Sequence, residues 1–292
     1  MQKRLELLNM KETTEDVQVE FLGVSKTLDD LLLKQEIFGA QRSRVAWLKH
    51  GDKNTKFFHS KASQCRRRNH IKGIKNSEGD WVEEEEDIMV VVADYFDNLF
   101  TLGTCSQIDD CLNTVPYKLT LEMQQELTCD FTAEEIKDAL FQMGPTKAFG
   151  PDGMNALFFQ NFWHVVGESV INAVLDYFNS GVMDPAINHT HIVLIPKIKS
   201  PEKMSDFRPI SLCNVIYKII SKVLANKLKQ ILPNIITPTQ SAFVPGRLIT
   251  DNVLVAYETL HTMLSRKKGK KGSLALKLDI SKAYDRVEWH FL

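Results

Sequence analysis

An α+β fold is expected of this chain, mostly helical with a few short strands. Three observations predict it. Apolar residues recur at helical spacing over long stretches, as in Val17, Phe21, Val24, Leu28, Leu31 and Leu32. Short apolar runs bounded by turn residues interrupt that pattern, most clearly at His191–Lys197. The composition, 43% hydrophobic and 25% charged, is that of a chain able to bury a core. At 292 residues there is room for one large domain or two small ones.

The elements follow in order. Residues 1–75 read as helical and very polar, as one long helix or a helical pair, and they include the basic run Arg66-Arg67-Arg68. Residues 71–82 alternate about the turn sequence Asn76-Ser77-Glu78-Gly79-Asp80, which predicts a β-hairpin. The acids Glu83 to Asp87 suit the positive end of a helix dipole, and an amphipathic helix follows with Ile88, Val91, Tyr95, Phe96 and Phe100. Residues 101–118 read as a loop. Thr132-Ala133-Glu134-Glu135 is a capping box opening a helix to about Met143, which Gly144-Pro145 ends. A Gly/Pro-rich loop spans Gly150-Pro151-Asp152-Gly153, and Asp152 is expected to fix that turn. One long helix is expected over 156–180, stopped at Ser180-Gly181. His191–Lys197 reads as a short buried strand closed by Pro196. Helices are expected at about 214–231 and 251–267, then a Gly/Lys loop and a strand over 273–280.

Charge is distributed in blocks. Residues 41–75 hold eleven Lys/Arg against one acid, residues 76–150 hold three against seventeen, and residues 151–292 hold seventeen against eleven. The total of −1 hides local blocks suited to contact with a polyanion, or to a solvated surface. The five cysteines form no Cys-x-x-Cys pair, which argues for reduced thiols and against a zinc site. No apolar run reaches the length of a membrane span, and the first residues, with Glu6 among them, do not read as a secretory signal. An intracellular protein, nuclear or cytoplasmic, is the expectation.

Asp279 closes the last apolar run, just before a helix start. A carboxylate there can hold a divalent cation or cap the helix. The surrounding run Leu278-Asp279-Ile280-Ser281-Lys282-Ala283-Tyr284-Asp285 resembles the first catalytic motif of reverse transcriptases. Upstream, Ile192–Lys197 resembles the first fingers motif of that family and Asp206–Asn214 the second. Gln240–Arg247 is similar to a segment of non-LTR and group II intron enzymes, and Lys147–Gly153 to a motif of the non-LTR branch. Trp47–His59 resembles the linker before the polymerase in plant LINE elements. The motifs stand in family order, and the resemblance covers roughly residues 40–292.

The resemblance implies a right-hand polymerase fold, with fingers and an incomplete palm behind a helical N-terminal extension. It divides the chain into a helical basic linker or extension at 1–75, an acidic helical pre-polymerase region at 76–143, and fingers with the start of the palm at 144–292. It implies RNA-directed DNA synthesis with two Mg²⁺ ions, an RNA template, a DNA primer and deoxynucleoside triphosphates. Asp279 is then the catalytic metal ligand. Arg208, Lys197, Ile280, Ser281 and Tyr284 hold the incoming nucleotide, the Tyr284 ring lying under the sugar. Arg247, Gly150, Gly153, Arg66, Arg67 and Arg68 are expected at template or primer. The family's Tyr-x-Asp-Asp motif does not occur after Asp279, and the Asp pairs, Asp29-Asp30 and Asp109-Asp110, lie far upstream. One carboxylate cannot fix two Mg²⁺ ions, so residues 1–292 alone are expected to be inactive. Two alternatives stay open: a non-catalytic nucleic-acid-binding module, and a fragment like a group II intron maturase.

Overall fold

The computed structural model describes residues 2–10, 14–43, 55–101, 103, 108–114, 116–241, 244–266, 272 and 274–276. It mixes helices with two small sheets, as the sequence implies. The chain divides into two compact units, residues 1–91 with 194–209, and residues 92–193 with 210–292.

In the first unit, α1 (Gln2–Asn9) and α3 (Thr55–Asn69) both pack on the long helix α2 (Glu15–Ser43). This is the helical reading of the polar N-terminal region. Among its described residues, Leu8 and Phe58 are buried apolar side chains. The expected hairpin follows as β1 (Ile74–Lys75) and β2 (Trp81–Val82), antiparallel, with Ile74 opposite Val82. Asn76 makes the turn: its Oδ1 accepts from the backbone N–H of Glu78 (3.0 Å) and of Asp80 (2.8 Å). Such Asx contacts are why Asn opens tight turns. Lys75 N–H then donates to the Glu202 carbonyl at 2.7 Å, so β1 is tied to a segment more than a hundred residues away. Ile74, Met204 and Phe207 are buried in this unit.

Helix α4 (Glu85–Phe100) starts in the first unit with Glu85, Glu86 and Asp87 in its first turn, and ends in the second. Two short helices depart from the sequence reading. Residues 101–118 are not all loop, because α5 (Ile108–Leu112) forms there, and five residues are too few for a periodic signal. Helix α6 (Leu121–Thr128) is opened by Thr120, whose hydroxyl accepts from Met123 N–H. The capping box at Thr132 forms as read: Thr132 N–H donates to Glu135 Oε2 (2.8 Å) and Glu135 N–H to Thr132 Oγ1 (3.2 Å), opening α7 (Ala133–Phe141).

The helix expected over 156–180 is two, α8 (Ala156–Asn161) and α9 (Trp163–Ser180). Phe162 leaves helical geometry between them (φ −103°, ψ 21°) without Gly or Pro to mark the break. Aromatic packing accounts for the corner: the Phe158 and Phe162 rings sit 5.3 Å apart, and the Trp163 ring meets Phe141 edge-on at 6.3 Å. Gly181 ends α9 as expected. A one-turn helix α10 (Pro185–Asn188) precedes β3 (His191–Pro196).

Strand β3 pairs with β4 (Phe207–Leu212) across a 3₁₀ turn at Met204–Asp206. β3 is not the buried strand expected. His191, Ile192 and Val193 are exposed, because a sheet of two strands has little to cover them. Helix α11 (Val215–Ile235) runs four residues past the expected end, through Pro233, and α12 (Ile249–Ser265) follows. The strand expected over 273–280 is not seen at its described part, where Leu274, Ala275 and Leu276 belong to no strand and are exposed; Ser273 and Lys277 onward lie outside the described residues.

A core of described residues joins α7, α8, α9 and α11 in the second unit. Ile136, Ala139 and Leu140 of α7 meet Phe159 of α8, Val170 and Val174 of α9, and Val215, Ile219, Ile220 and Val223 of α11. At its margin the Lys227 ammonium lies 3.9 Å over the Phe131 ring and donates to the Cys129 carbonyl. Phe131 in turn stacks on Phe178, so a cation is accommodated at a buried position without a carboxylate partner among the described residues.

Candidate nucleotide and nucleic-acid site

Lys197 and Arg208 come together in the first unit. Lys197 N–H donates to the Asp206 carbonyl at 2.8 Å, which sets Lys197 beside the start of β4, two residues from Arg208. Lys197 Nζ donates to the Ser205 carbonyl at 2.8 Å. The Arg208 side chain is exposed and makes no hydrogen bond or ion pair with another described residue. Between them Asp206 folds the turn: its Oδ2 accepts from the N–H groups of Glu202 and Lys203, both at 3.0 Å. Those two bonds hold its carboxyl below the usual carboxylate range, with help from the Lys203 and Lys197 charges and against partial burial. Asp206 is therefore committed to the turn, which leaves Arg208 as an unengaged cation on a short strand.

Arg66, Arg67 and Arg68 occupy the last turn of α3, all exposed and without described partners. Cations there complement the negative end of the helix dipole. Lys56 and Lys61 extend the basic character of the same helix.

In the second unit the loop 144–153 is fastened to α11 from several sides. Asp152 Oδ1 accepts from Met154 N–H at 3.0 Å, the turn-fixing role read from the sequence. Gly153 N–H donates to the Gly150 carbonyl at 3.1 Å, and Gly153 itself has φ +72°, where a side chain is strained. Gly150 is buried against Asn214 so closely that an added Cβ would lie 2.5 Å from the Asn214 nitrogen. Asn214 is buried too, and its Nδ2 donates to the carbonyls of Ala186 (2.9 Å) and Ile187 (3.3 Å). Lys218 Nζ reaches the Ala148 carbonyl at 2.8 Å. Burial keeps the Lys218 ammonium below the usual lysine range, while Cys213 and Asp152 pull the other way.

Asn214 and Lys218 carry this geometry, and the sequence reading gave neither a role. The available signal was spacing, since Lys218 and Lys222 are four apart on α11 and so share a face.

Arg247 is engaged. Its Nη1 donates to the carbonyls of Thr237 (2.6 Å) and Gln240 (2.7 Å), and its Nη2 to those of Pro233 (3.3 Å) and Ile236 (3.4 Å). The guanidinium fork thus closes the end of α11, where helix carbonyls lack intrahelical partners. Arg247→Lys is expected to lose about 1–3 kcal/mol of stability, since one ammonium cannot meet four carbonyls in this plane. Denaturant unfolding with limited proteolysis at Ile236–Gly246 measures it, and an Arg247→Lys chain as stable and as resistant as the parent would refute the clamp.

Asp279, Ile280, Ser281 and Tyr284 lie outside the described residues. Among the described residues no group of three or more His, Cys, Asp or Glu side chains could hold a metal ion. Asp29-Asp30 and Asp109-Asp110 sit on α2 and α5, helices rather than a strand hairpin. No described helix is long and apolar enough to cross a membrane.

Residues 195–292 match the reverse transcriptase (RNA-dependent DNA polymerase) family. The chain is 30% identical to the transposon TX1 uncharacterized 149 kDa protein of Xenopus laevis, over 94% of this chain and 21% of that protein. It is 25% identical to the RNA-directed DNA polymerase from mobile element jockey of Drosophila melanogaster, over 74% of this chain and 24% of the relative. It is 28% identical to the retrovirus-related Pol polyprotein from type-1 retrotransposable element R2 of Nasonia vitripennis, over 53% of this chain and 14% of the relative. Residues 195–292 therefore belong to the reverse transcriptase family. The chain spans about a fifth to a quarter of the length of the first two of these relatives, the second of which is a mobile-element RNA-directed DNA polymerase.

Proposed function

We propose that this chain supplies the part of an RNA-directed DNA polymerase that receives the incoming nucleotide and guides the template. The observation that carries the reading is Arg208, exposed and unengaged on β4 inside the family-matched segment, with Lys197 beside it. A free guanidinium fork suits triphosphate oxygens, and Lys197 adds positive charge. By the family resemblance Asp279 would be a metal ligand of the polymerase, Ile280 and Ser281 the backbone beside the triphosphate, and Tyr284 the ring that excludes a ribose 2′-hydroxyl. Two Mg²⁺ ions, when bound, supply the charge neutralisation that nucleotidyl transfer needs. In this reading residues 144–292 are fingers and the start of a palm, 76–143 an acidic pre-polymerase region, and 1–75 a basic extension of the kind found in plant LINE elements. Gly150 and Gly153 shape the loop that faces the template, Arg66, Arg67 and Arg68 hold backbone phosphates, and Arg247 serves the template side by fixing the loop after α11.

Titration of the 292-residue chain with an RNA–DNA primer–template over a salt series tests the reading. The logarithm of affinity should fall linearly with the logarithm of salt, and replacing Arg66, Arg67 and Arg68 together by Ala should reduce the slope by up to about 3. Binding that ignores salt, or no binding, would overturn it. Primer extension with Mg²⁺ and deoxynucleotides should give no product from residues 1–292 alone, for want of a Tyr-x-Asp-Asp pair. Product that vanishes in Asp279→Ala would overturn that expectation. Salt-dependent binding that is indifferent to deoxynucleotide and to Arg208→Ala would favour the second reading, a non-catalytic binding module, to which the exposed arginines of α3 already point.

A further inference from the structure

The second unit contains a cavity of about 430 Å³ between the loop after α7, the end of β4 and the first turns of α11. That is the size range of small-ligand sites. Its floor is apolar and includes Met143, Ala156, Leu212 and Val215, with Ala156 and Val215 buried. Its polar side is formed by Lys147, Lys218 and Lys222, and no acidic residue lines it. Lys218 and Lys222 lie one turn apart on α11, on one face. Lys218 spends one donor on the Ala148 carbonyl at 2.8 Å. The Lys147 backbone N–H donates to the Gly144 carbonyl at 3.2 Å, whereas the Lys147 and Lys222 ammonium groups make no hydrogen bond or ion pair with a described residue.

Three like charges around one apolar recess repel one another, and no acidic residue among those lining it neutralises them; Asp152 and Cys213, outside the lining, act on Lys218. The arrangement becomes favourable when an anion enters, and a low-dielectric floor strengthens each contact it makes. An inorganic anion would use the lysines and waste the floor. An apolar ligand would use the floor and leave the lysines unpaired. A phosphate joined to a flat ring uses both.

We propose that this cavity is a nucleotide site. It takes one phosphorylated nucleoside, free or as one unit of a single strand, with the phosphate among Lys147, Lys218 and Lys222 and the base on the apolar floor. The choice of a nucleoside over other phosphate-bearing rings rests on the polymerase reading above; the amphiphilic anion site rests on the cavity alone. Gln142 and Ser211 also line the cavity and offer an amide and a hydroxyl to a base edge.

The test is lysine acylation of the whole chain, read lysine by lysine by mass spectrometry. The probes are adenosine monophosphate, a 5′-phosphorylated oligoadenylate and inorganic tripolyphosphate. Adenosine monophosphate or the oligoadenylate should slow labelling of Lys147 and Lys222 several-fold, while Lys229, on α11 but outside the cavity, stays unaffected. Equal protection by the two nucleotides, or protection by the free nucleotide alone, identifies a free nucleotide as occupant; stronger protection by the oligoadenylate identifies a strand. Lys147→Glu with Lys222→Glu should weaken nucleotide binding about tenfold or more, and Lys222→Arg should retain it. Circular dichroism of the double variant checks that it folds, and Lys222→Arg keeps the test decisive if it does not. No protection, or equal protection by tripolyphosphate, overturns the nucleotide site. If RNA–DNA primer–template still binds in a salt-dependent way, the polymerase reading survives that failure. If the nucleotide protects while primer–template does not bind at all, the polymerase reading falls and the cavity stands.

Discussion

Ile219→Ala is expected to destabilise the second unit by about 2–5 kcal/mol, the cost of emptying a fully packed aliphatic site. Ile219 has no accessible surface and sits in the core with Ile136, Leu140 and Val174. Its position on α11 makes the consequence more than thermodynamic. Lys218 precedes it and Lys222 follows one turn later, so the packing of Ile219 sets where both lysines point. Hydrogen exchange of the α7, α9 and α11 amides measures the loss directly, and Ile219→Val, which removes one methyl, should cost only about 0.5–1.5 kcal/mol. If α11 amides in Ile219→Ala stay as protected as in the parent, the core does not anchor this helix.

What the sequence shows, and what it hides, follows from the range of the forces involved. The capping box at Thr132 was legible because it is made within four residues, and the Asn76 turn for the same reason. The α2, α9 and α11 segments were legible from apolar spacing. The break at Phe162 was not, because its cause is an aromatic contact between Trp163 and Phe141, twenty-two positions apart. The exposed face of β3 was hidden because the apolar run does not reveal how many strands join it. Among the candidate residues, Arg208 and Gly150 were found through motif resemblance, and that resemblance says nothing of partners. The four carbonyls around Arg247, the Lys218 bond to Ala148 and the buried Asn214 all depend on contacts that spacing does not encode.

Gly150→Ala should be the most damaging single-methyl addition in the glycine loop. The added carbon would lie 2.4 Å from Asn214 Oδ1, 2.5 Å from its nitrogen and 2.7 Å from its Cα, all closer than carbon atoms tolerate. Two of those atoms are backbone, so no side-chain rotation relieves the clash. Asn214 cannot retreat readily either, since its amide holds the Ala186 and Ile187 carbonyls. The loop must therefore lift, giving up the Asp152 N–H contact to Asn214 Oδ1 (3.4 Å) and straining the Lys218 bond to Ala148. Overpacking of this kind costs about 1–3 kcal/mol or somewhat more. Gly153→Ala is the informative contrast. Its Cβ would meet nothing, so only the left-handed backbone is penalised, by about 1–2 kcal/mol, and Gly153→Asn should recover part of that. Combining Gly150→Ala with Asn214→Ala tells the two sources of strain apart. Removing the Asn214 side chain clears only Oδ1 and costs about 1–3 kcal/mol by orphaning its partners. The double variant should therefore unfold no later than Gly150→Ala alone. If it regains the parent's stability, the contact with Oδ1 is the whole clash, and the loop is held by a side chain rather than by the close approach of two backbones.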